Sequence, residues 1–362
     1  MKKSLLMLPL IALLASCGGK GGSGNELLPD GWNGVTEEKE KQEVVKICSD
    51  GITNVISSSI IKFDGDASCK LDLALGEGES KQTFKAEASF KYSVAFEFGS
   101  VFSSLFNPNA VVSLPSVGLK IEDMSLKYEH KSEKGLVATN FNSLTFGAYL
   151  NGTSSKAYID LSDETVNYCF SNVITLLADL FPEAPLPTKD KTVEEVFGTN
   201  KLLINLGDFL AGGESFEASK FLLERLNAPI VSESSIPTIE EILKLLGVSA
   251  YKYDDGRRAV TFEANKDTIN PILEKFGVET LPEGYDLAVK SGIVVKEFNN
   301  VYKLNELTDS ASLKANDDGF AIDASESSHL VIDYPSSISY FGSFVSGSAS
   351  DYKTPTYVPS AL

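Results

Sequence analysis

The apolar and polar residues of this chain follow two periods, which separate predicted strands from predicted helices. Between Phe84 and Phe98 the even-numbered positions are apolar and the odd-numbered ones are mostly polar. Strict alternation over this length predicts a long strand with one buried and one solvated face. The buried face would carry five aromatic residues: Phe84, Phe90, Tyr92, Phe96 and Phe98.

Other alternating segments are joined by short turns. The segment 119–128 alternates with one extra residue near Asp123, which predicts a β-bulge. The Asn151–Gly152 pair is a strong hairpin signal. Neighbours connected in this way favour an antiparallel sheet. Further strands are predicted at 136–150, 156–161, 201–206, 248–253, 259–264, 287–298, 301–314, 320–324 and 329–334.

Helices are predicted where apolar residues recur at three- and four-residue steps. The first would cover 36–63 and end in a turn at Asp64–Asp66, and the second would cover 163–181. Thr192 and Thr238 each have a glutamate three residues later, which is the capping-box spacing. Two more helices are predicted at 215–226 and 268–276. Together these elements predict an α+β fold, a large curved antiparallel β-sheet like a half-barrel with helices packed on its concave face.

The N-terminus reads as a secretory signal. Lys2 and Lys3 precede an apolar run that is too short to span a bilayer, and small residues follow it. The run ends in Leu14-Ala15-Ser16-Cys17, which resembles the lipobox of bacterial lipoproteins. That resemblance implies cleavage between Ser16 and Cys17, lipidation of Cys17 and attachment to the extracytoplasmic face of a bacterial membrane. An ordinary cleaved signal with a chance cysteine is the alternative.

Four segments follow from this interpretation. Residues 1–16 would be the signal peptide, and 17–35 a glycine-rich flexible tether. Residues 36–340 would form the α+β body, for which a split into two subdomains near 182–200 stays open. Residues 341–362, rich in serine, glycine, proline and tyrosine, would be a tail that gains order by lying on the body. Trp32 is expected to fasten the tether to the body.

The charge of the chain narrows its possible partners. The formal net charge is −18, and loss of Lys2 and Lys3 with the signal would make it more negative. This argues against nucleic acid, whose binding needs clustered cations. It also argues against binding of the protein surface to an anionic bilayer. The lipid anchor would therefore hold the protein at the membrane.

No catalytic, metal or cofactor site is predicted, and an enzyme is not expected. The two histidines, His130 and His329, lie in or beside strands, and the sequence has no His-Glu-x-x-His, Gly-x-Ser-x-Gly or phosphate-loop motif. The Asp-Gly pairs at 64–66, 254–256 and 317–319 lack EF-hand spacing and predict turns. Acidic pairs suited to glycoside hydrolysis stay open, because the separations of carboxylates cannot be read from sequence.

The number of cysteines permits one intramolecular disulfide. With Cys17 lipidated, Cys48, Cys69 and Cys169 remain, an odd number. An oxidising compartment permits one bridge, and Cys48 and Cys69 are the pair nearest in sequence. Cys169 is expected to be a small buried apolar residue on its helix.

The order of the predicted elements resembles that of the half-barrel lipoproteins of the LolA and LppX type. A leading helix is followed by long alternating strands and then by a helix after Ala157-Tyr158-Ile159-Asp160-Leu161. That resemblance implies a hollow for a lipid-like or apolar ligand, lined by the even-numbered aromatics. The alternative is that the helices fill this space and that the chain is a surface interaction protein binding a protein partner. An extracytoplasmic hydrolase is a third, less favoured interpretation.

Overall fold

A computed structural model describes residues 28, 31–98, 115–183, 186–187, 191–206, 238–275, 280–317 and 319–356. Within these ranges the chain forms twelve strands and six helices. The strands are β1 Asn33–Gly34, β2 Ile60–Leu75, β3 Gln82–Glu97, β4 Ser116–Ser132, β5 Gly135–Asn151, β6 Lys156–Asp160, β7 Lys201–Asn205, β8 Ser249–Lys252, β9 Arg258–Asn265, β10 Tyr285–Phe298, β11 Val301–Asp317 and β12 Phe320–Asp333. The helices are α1 Glu38–Thr53, α2 Glu164–Leu180, α3 Val193–Phe197, α4 Ile239–Leu245, α5 Lys266–Lys275 and α6 Tyr340–Ser343.

All twelve strands belong to one open, curved antiparallel sheet, which confirms the predicted α+β class. Their order is β1-β8-β9-β10-β11-β12-β2-β3-β4-β5-β6-β7, so β1 and β7 are the edges. The strands before and after 182–200 are therefore part of the same sheet. Most neighbours are consecutive hairpins, but β2 pairs with β12 and joins the two halves of the chain.

Register places the two long helices on one face of this sheet. Side chains alternate between faces, so Tyr92, Gly65, Leu330, Leu307 and Ile293, which follow one another across β3, β2, β12, β11 and β10, share a face. We call it the aromatic face, because it carries Phe84, Phe90, Tyr92 and Phe96 of β3. Phe98 directly follows this strand. Helix α1 packs on it over β8 to β11, and α2 packs on it over β5 and its neighbours.

The C-terminal residues pack on the opposite face. Tyr340, Phe344, Val345 and Tyr352 are buried against Ala95, Tyr149 and Tyr158. Gly118 and Gly147 make room for them, since a Cβ at Gly118 would lie 2.6 Å from the Phe344 ring. The predicted tail is thus ordered on the body as far as residue 356, and its last six residues lie outside the described ranges.

Asp160 holds this C-terminal segment in place. Its side chain is buried and accepts hydrogen bonds from the Ser162 hydroxyl and from the Ser346 backbone N–H, the latter at 2.7 Å. Burial acts to raise the pKa of Asp160, but these hydrogen bonds outweigh it and the net shift is downward. The carboxylate is therefore ionised when it binds the segment.

Several predicted elements are confirmed. Strand β3 has the predicted bounds within two residues, and β4 departs from regular register between Ile121 and Met124, where Asp123 has φ +54°. Both capping boxes form, at Thr192 and at Thr238. Trp32 packs against Tyr253, with ring centroids 5.2 Å apart, as expected for a residue that fastens the tether.

Two predictions were wrong. The first helix ends at Thr53, a 3-10 turn follows at Asn54–Ser57, and β2 begins at Ile60, so Asp64–Asp66 lies inside a strand. The segments 320–324 and 329–334 form the single strand β12, because its polar residues pair with both β11 and β2. The helix predicted at 215–226 lies outside the described residues.

Candidate functional site

The five predicted aromatic residues share one face but have three different surroundings. Phe84 stacks on His130, with centroids 4.0 Å apart, in the cluster beneath α2. Tyr92 and Phe98 join a cluster around Ile61, Leu330 and Ile332, and Phe96 stacks on Phe98. Phe90 lies between these two clusters, half-buried and 6.0 Å from the Tyr92 ring. The sheet therefore packs part of the predicted lining into its core.

A strip of apolar and half-exposed residues lies between the two helix-covered regions. We call it the central strip and define it by six residues of the aromatic face on the middle strands β12, β2 and β3. Cys69 is exposed, and the other five are half-buried. Within the described ranges, the main contacts of α1 and α2 with the sheet stop at β11 and β5. The central strip comprises Cys69, Leu71, Ala88, Phe90, Ala324 and Glu326.

Two carboxyl groups lie at the border of the central strip with β11. Asp309 is 6% exposed, and its Oδ1 accepts a hydrogen bond from Ser328, its register partner. Glu326 lies two residues before Ser328 and so points to the same face. Asp309 Oδ2 and Glu326 Oε1 are buried, and no described residue forms a hydrogen bond with either atom.

Burial changes the acidity of this pair. It raises the pKa of Asp309 to about 6, against the opposing effect of the Ser328 hydrogen bond. Burial, with a further contribution from the charge of Asp309, raises the pKa of Glu326 to about 7. Within the described part of the chain, neither carboxyl group forms an ion pair with lysine or arginine. This pair was not predicted from the sequence, although Asp309 occupies the same face of its strand as the apolar Leu307 and Ala311.

The opposite face of the middle strands carries a shallow hollow of about 440 Å³. Two rows of that face line it, one of serines and one that is charged except for Ser325. Cys69, Ala88 and Glu326 of the central strip, which lie in the row between them, also border it. Ser68 and Ser327 join their hydroxyl groups at 2.9 Å across it. None of the five aromatic residues lines this hollow. The rows are Ser68, Ser89, Ser125 and Ser327, and Lys70, Glu87, Lys127 and Ser325.

Both histidines pair with carboxylates. His130 Nδ1 lies 2.8 Å from Asp179 Oδ2, which also accepts from the Tyr128 hydroxyl at 2.7 Å. His329 Nε2 lies 2.7 Å from Glu306 Oε1, and this contact raises the pKa of His329. No hydrogen bond described for either ring reaches a serine or cysteine. Among the described residues, no three potential metal ligands gather in one group.

The three cysteines in the described residues are free thiols, so the Cys48–Cys69 bridge is not formed. Cys48 is buried between α1 and the sheet in a cluster with Val260 and Val295, whereas Cys69 is exposed on β2. Cys169 is buried beneath α2, as predicted. Ser16 and Cys17 lie outside the described residues, and no described helix is long and apolar enough to cross a bilayer.

Comparison with known proteins identifies no family for this chain. No protein-family model matches the chain, and no curated protein matches it by sequence. One solved structure, concerned with lipid–protein interactions in lipovitellin, aligns with 83% of this chain at 9% identity and a TM-score of 0.25. The aligned part is 28% of the lipovitellin chain. A likeness of this strength carries no conclusion about function.

Proposed function

We propose that this chain is a lipid-anchored extracytoplasmic protein that binds an apolar, lipid-like molecule on its central strip. The observation that carries the binding proposal is the position of Phe90, Leu71 and Cys69, which stay accessible between two regions covered by helices. Partly exposed apolar residues that form a contiguous surface commonly mark a binding site. The small side chain of Ala324 leaves room for a ligand chain along the strip, and Ala88, which packs against the cluster beneath α2, forms its border on that side.

Residues 14–17 support the anchor. A diacylglyceryl thioether on Cys17 together with an acylated amine would supply more than one chain, and two chains give stable membrane attachment. In the producing bacterium, Cys17→Ala should abolish incorporation of labelled fatty acid and release the protein from the membrane fraction. Cys69→Ala, which removes an exposed thiol, is the matched control and should change neither. Equal labelling of both variants would contradict the anchor.

Binding can be tested with a neutral fluorescent probe such as N-phenyl-1-naphthylamine, displaced by a medium-chain alcohol. Phe90 and Lys91 are neighbours on opposite faces of β3, and the Lys91 side chain is 65% exposed. Phe90→Ser should weaken probe binding about fivefold or more, because it removes apolar contact area. Lys91→Ser should leave binding unchanged. Thermal unfolding of both variants shows whether a loss of binding reflects a loss of fold.

A protein partner is the second candidate function. Leu136, Leu180 and Phe181 are 64%, 48% and 55% exposed at the end of the sheet where α2 meets the β4–β5 turn. Exposed large apolar residues in one region also favour protein contacts. In that case the probe would not bind the central strip, and cross-links from a partner would map to these three residues.

A further inference from the structure

We propose that the Asp309–Glu326 pair binds the protonated amine of an amphiphilic ligand whose apolar chain lies along the central strip. This inference rests on the proposed function, since it names the head group that the same strip would select. It is carried by two buried oxygen atoms, Asp309 Oδ2 and Glu326 Oε1, to which no residue in the described ranges donates a hydrogen bond. It is also carried by the position of Glu326, whose register partners Ala311 and Cys69 lie on the same face.

The pair needs a partner with a positive charge. Burying a carboxylate is unfavourable unless donors or an opposite charge compensate for the lost water. Among the described residues, Asp309 accepts a side-chain hydrogen bond only from the Ser328 hydroxyl, and Glu326 Oε1 accepts none. The two carboxylates also repel each other, because the negative charge of Asp309 raises the pKa of Glu326.

The protein itself does not supply that charge within the described ranges. Around the pair, β10 presents Ser291, β2 presents Ala67 and Cys69, and β3 presents Ala88 and Phe90. Cys69, the register partner of Glu326, and Tyr92, two residues beyond Phe90, are further ionisable residues on this face. Helix α1, which covers the adjacent part of the sheet, turns Val44, Val45 and Cys48 toward it.

The chemistry of the pair selects among ligands. Unpaired carboxylate oxygens accept hydrogen bonds, so they favour a group with N–H donors and a positive charge. A primary ammonium has three donors, enough for Asp309 Oδ2 and Glu326 Oε1 together. A fatty acid would add a third negative charge, and an aliphatic alcohol would offer one uncharged donor. The predicted order of affinity is therefore amine, then alcohol, then acid.

Dodecylamine, dodecanol and dodecanoate test this order, each below its micelle concentration and in competition with N-phenyl-1-naphthylamine on the full chain at pH 7.5. Dodecylamine should bind at least about tenfold tighter than dodecanol. Glu326→Gln and Asp309→Asn should each lower that preference, the ratio of the dodecanol to the dodecylamine dissociation constant, about fivefold or more. Glu87→Gln, which alters an exposed carboxylate of the opposite face, is the matched control and should keep the preference.

Each result separates the two proposals. If dodecanol and the probe fail to bind, the apolar-ligand function itself is wrong. If dodecanol binds and dodecylamine has no advantage, only the amine site is wrong. A calcium titration is the last arm. The proposal would be overturned if calcium bound the wild type but not Glu326→Gln, and if dodecylamine did not displace it. The pair would then be a metal-cation site.

Discussion

The ring of Tyr92 lies over the backbone of Gly65 on the neighbouring strand. The two residues are direct partners in the β2–β3 register. A Cβ atom at position 65 would lie 2.8 Å from Tyr92 Oη and 2.6 Å from the carbonyl oxygen of His329. Neither neighbour can move freely, because Tyr92 packs against the Ile61 and Leu330 cluster and His329 belongs to β12. The middle of the sheet thus depends on the absence of a side chain at this position.

Gly65→Ala should therefore lower the free energy of unfolding by about 1–3 kcal/mol, the usual effect of overpacking. Urea denaturation should show a lower midpoint with an unchanged slope. Gly34→Ala is the control, since the nearest atom to its new Cβ would be 3.9 Å away, an ordinary contact. Equal stability of the Gly65→Ala variant and the wild type would contradict the described register.

The C-terminal segment should contribute substantially to stability. Phe344 is 3% exposed and covers Gly118, so Phe344→Ala should cost about 3 kcal/mol and leave residues 340–352 free to exchange amide hydrogens. Hydrogen exchange should rise in that segment and in β6, but not in α1. Leu136→Ala, at a position 64% exposed, should change little. Protection of residues 340–352 that survives Phe344→Ala would show that the segment is held in another way.

The acidic pair should make stability depend on pH. Because burial raises the pKa of Asp309 to about 6 and that of Glu326 to about 7, the folded state holds their protons more tightly than the unfolded state does. Their stabilising contribution is present at low pH and is lost as pH rises from about 4 to 7. Asp309→Asn and Glu326→Gln should thus be more stable than the wild type at pH 8, by about 1–2 kcal/mol.

This advantage should shrink as the pH is lowered toward 4, which chemical denaturation at several pH values can measure. Asp323→Asn, at an exposed position on the same strand where the carboxylate pairs with Lys314, is the control and should change stability little at any pH. A constant difference across this range would mean that the two groups titrate normally.

The thiols should differ in reactivity. Burial raises the pKa of Cys48 to about 12, and Cys169 is also buried, so a thiol reagent at pH 8.5 should modify Cys69 first. After unfolding without reductant, peptide mapping should find all three thiols labelled. Recovery of Cys169 alone would indicate that Cys48 and Cys69 are bridged.

The sequence predicted correctly those elements whose formation depends on residues close to one another in the chain. The alternation of β3, the extra residue near Asp123 and the capping boxes depend on neighbouring residues, and all three were read correctly from the sequence. Strand β2 was not predicted at all, because helical spacing continues through Ile56 and Ile60 and Asp64–Asp66 was interpreted as a turn. One of its two neighbours in the sheet, β12, lies about 250 residues later in the sequence, so that pairing left no local signal. The other neighbour, β3, follows β2 directly. Leu71, Leu73 and Leu75 did alternate, and that signal could have found β2.

The candidate site was predictable only in part. Sequence placed the even-numbered aromatics on one face, but it could not show which of them α2 and the Ile61 cluster would cover. The acidic pair required the β11–β12 register, which brings Asp309 opposite Ser328 and two positions from Glu326. Asp309 shares its parity with Leu307 and Leu313, so a polar residue at an apolar position was the available signal.

Photolabelling would show which residues contact an apolar ligand. A neutral medium-chain alcohol carrying a terminal diazirine would be irradiated with the full chain, and the modified residues would be mapped by mass spectrometry. We expect adducts on the central strip, at Leu71, Phe90 and Ala324, that excess dodecanol prevents. Adducts confined to the opposite face, at Lys70 or Lys91, or no adduct that dodecanol suppresses, would contradict binding on the central strip.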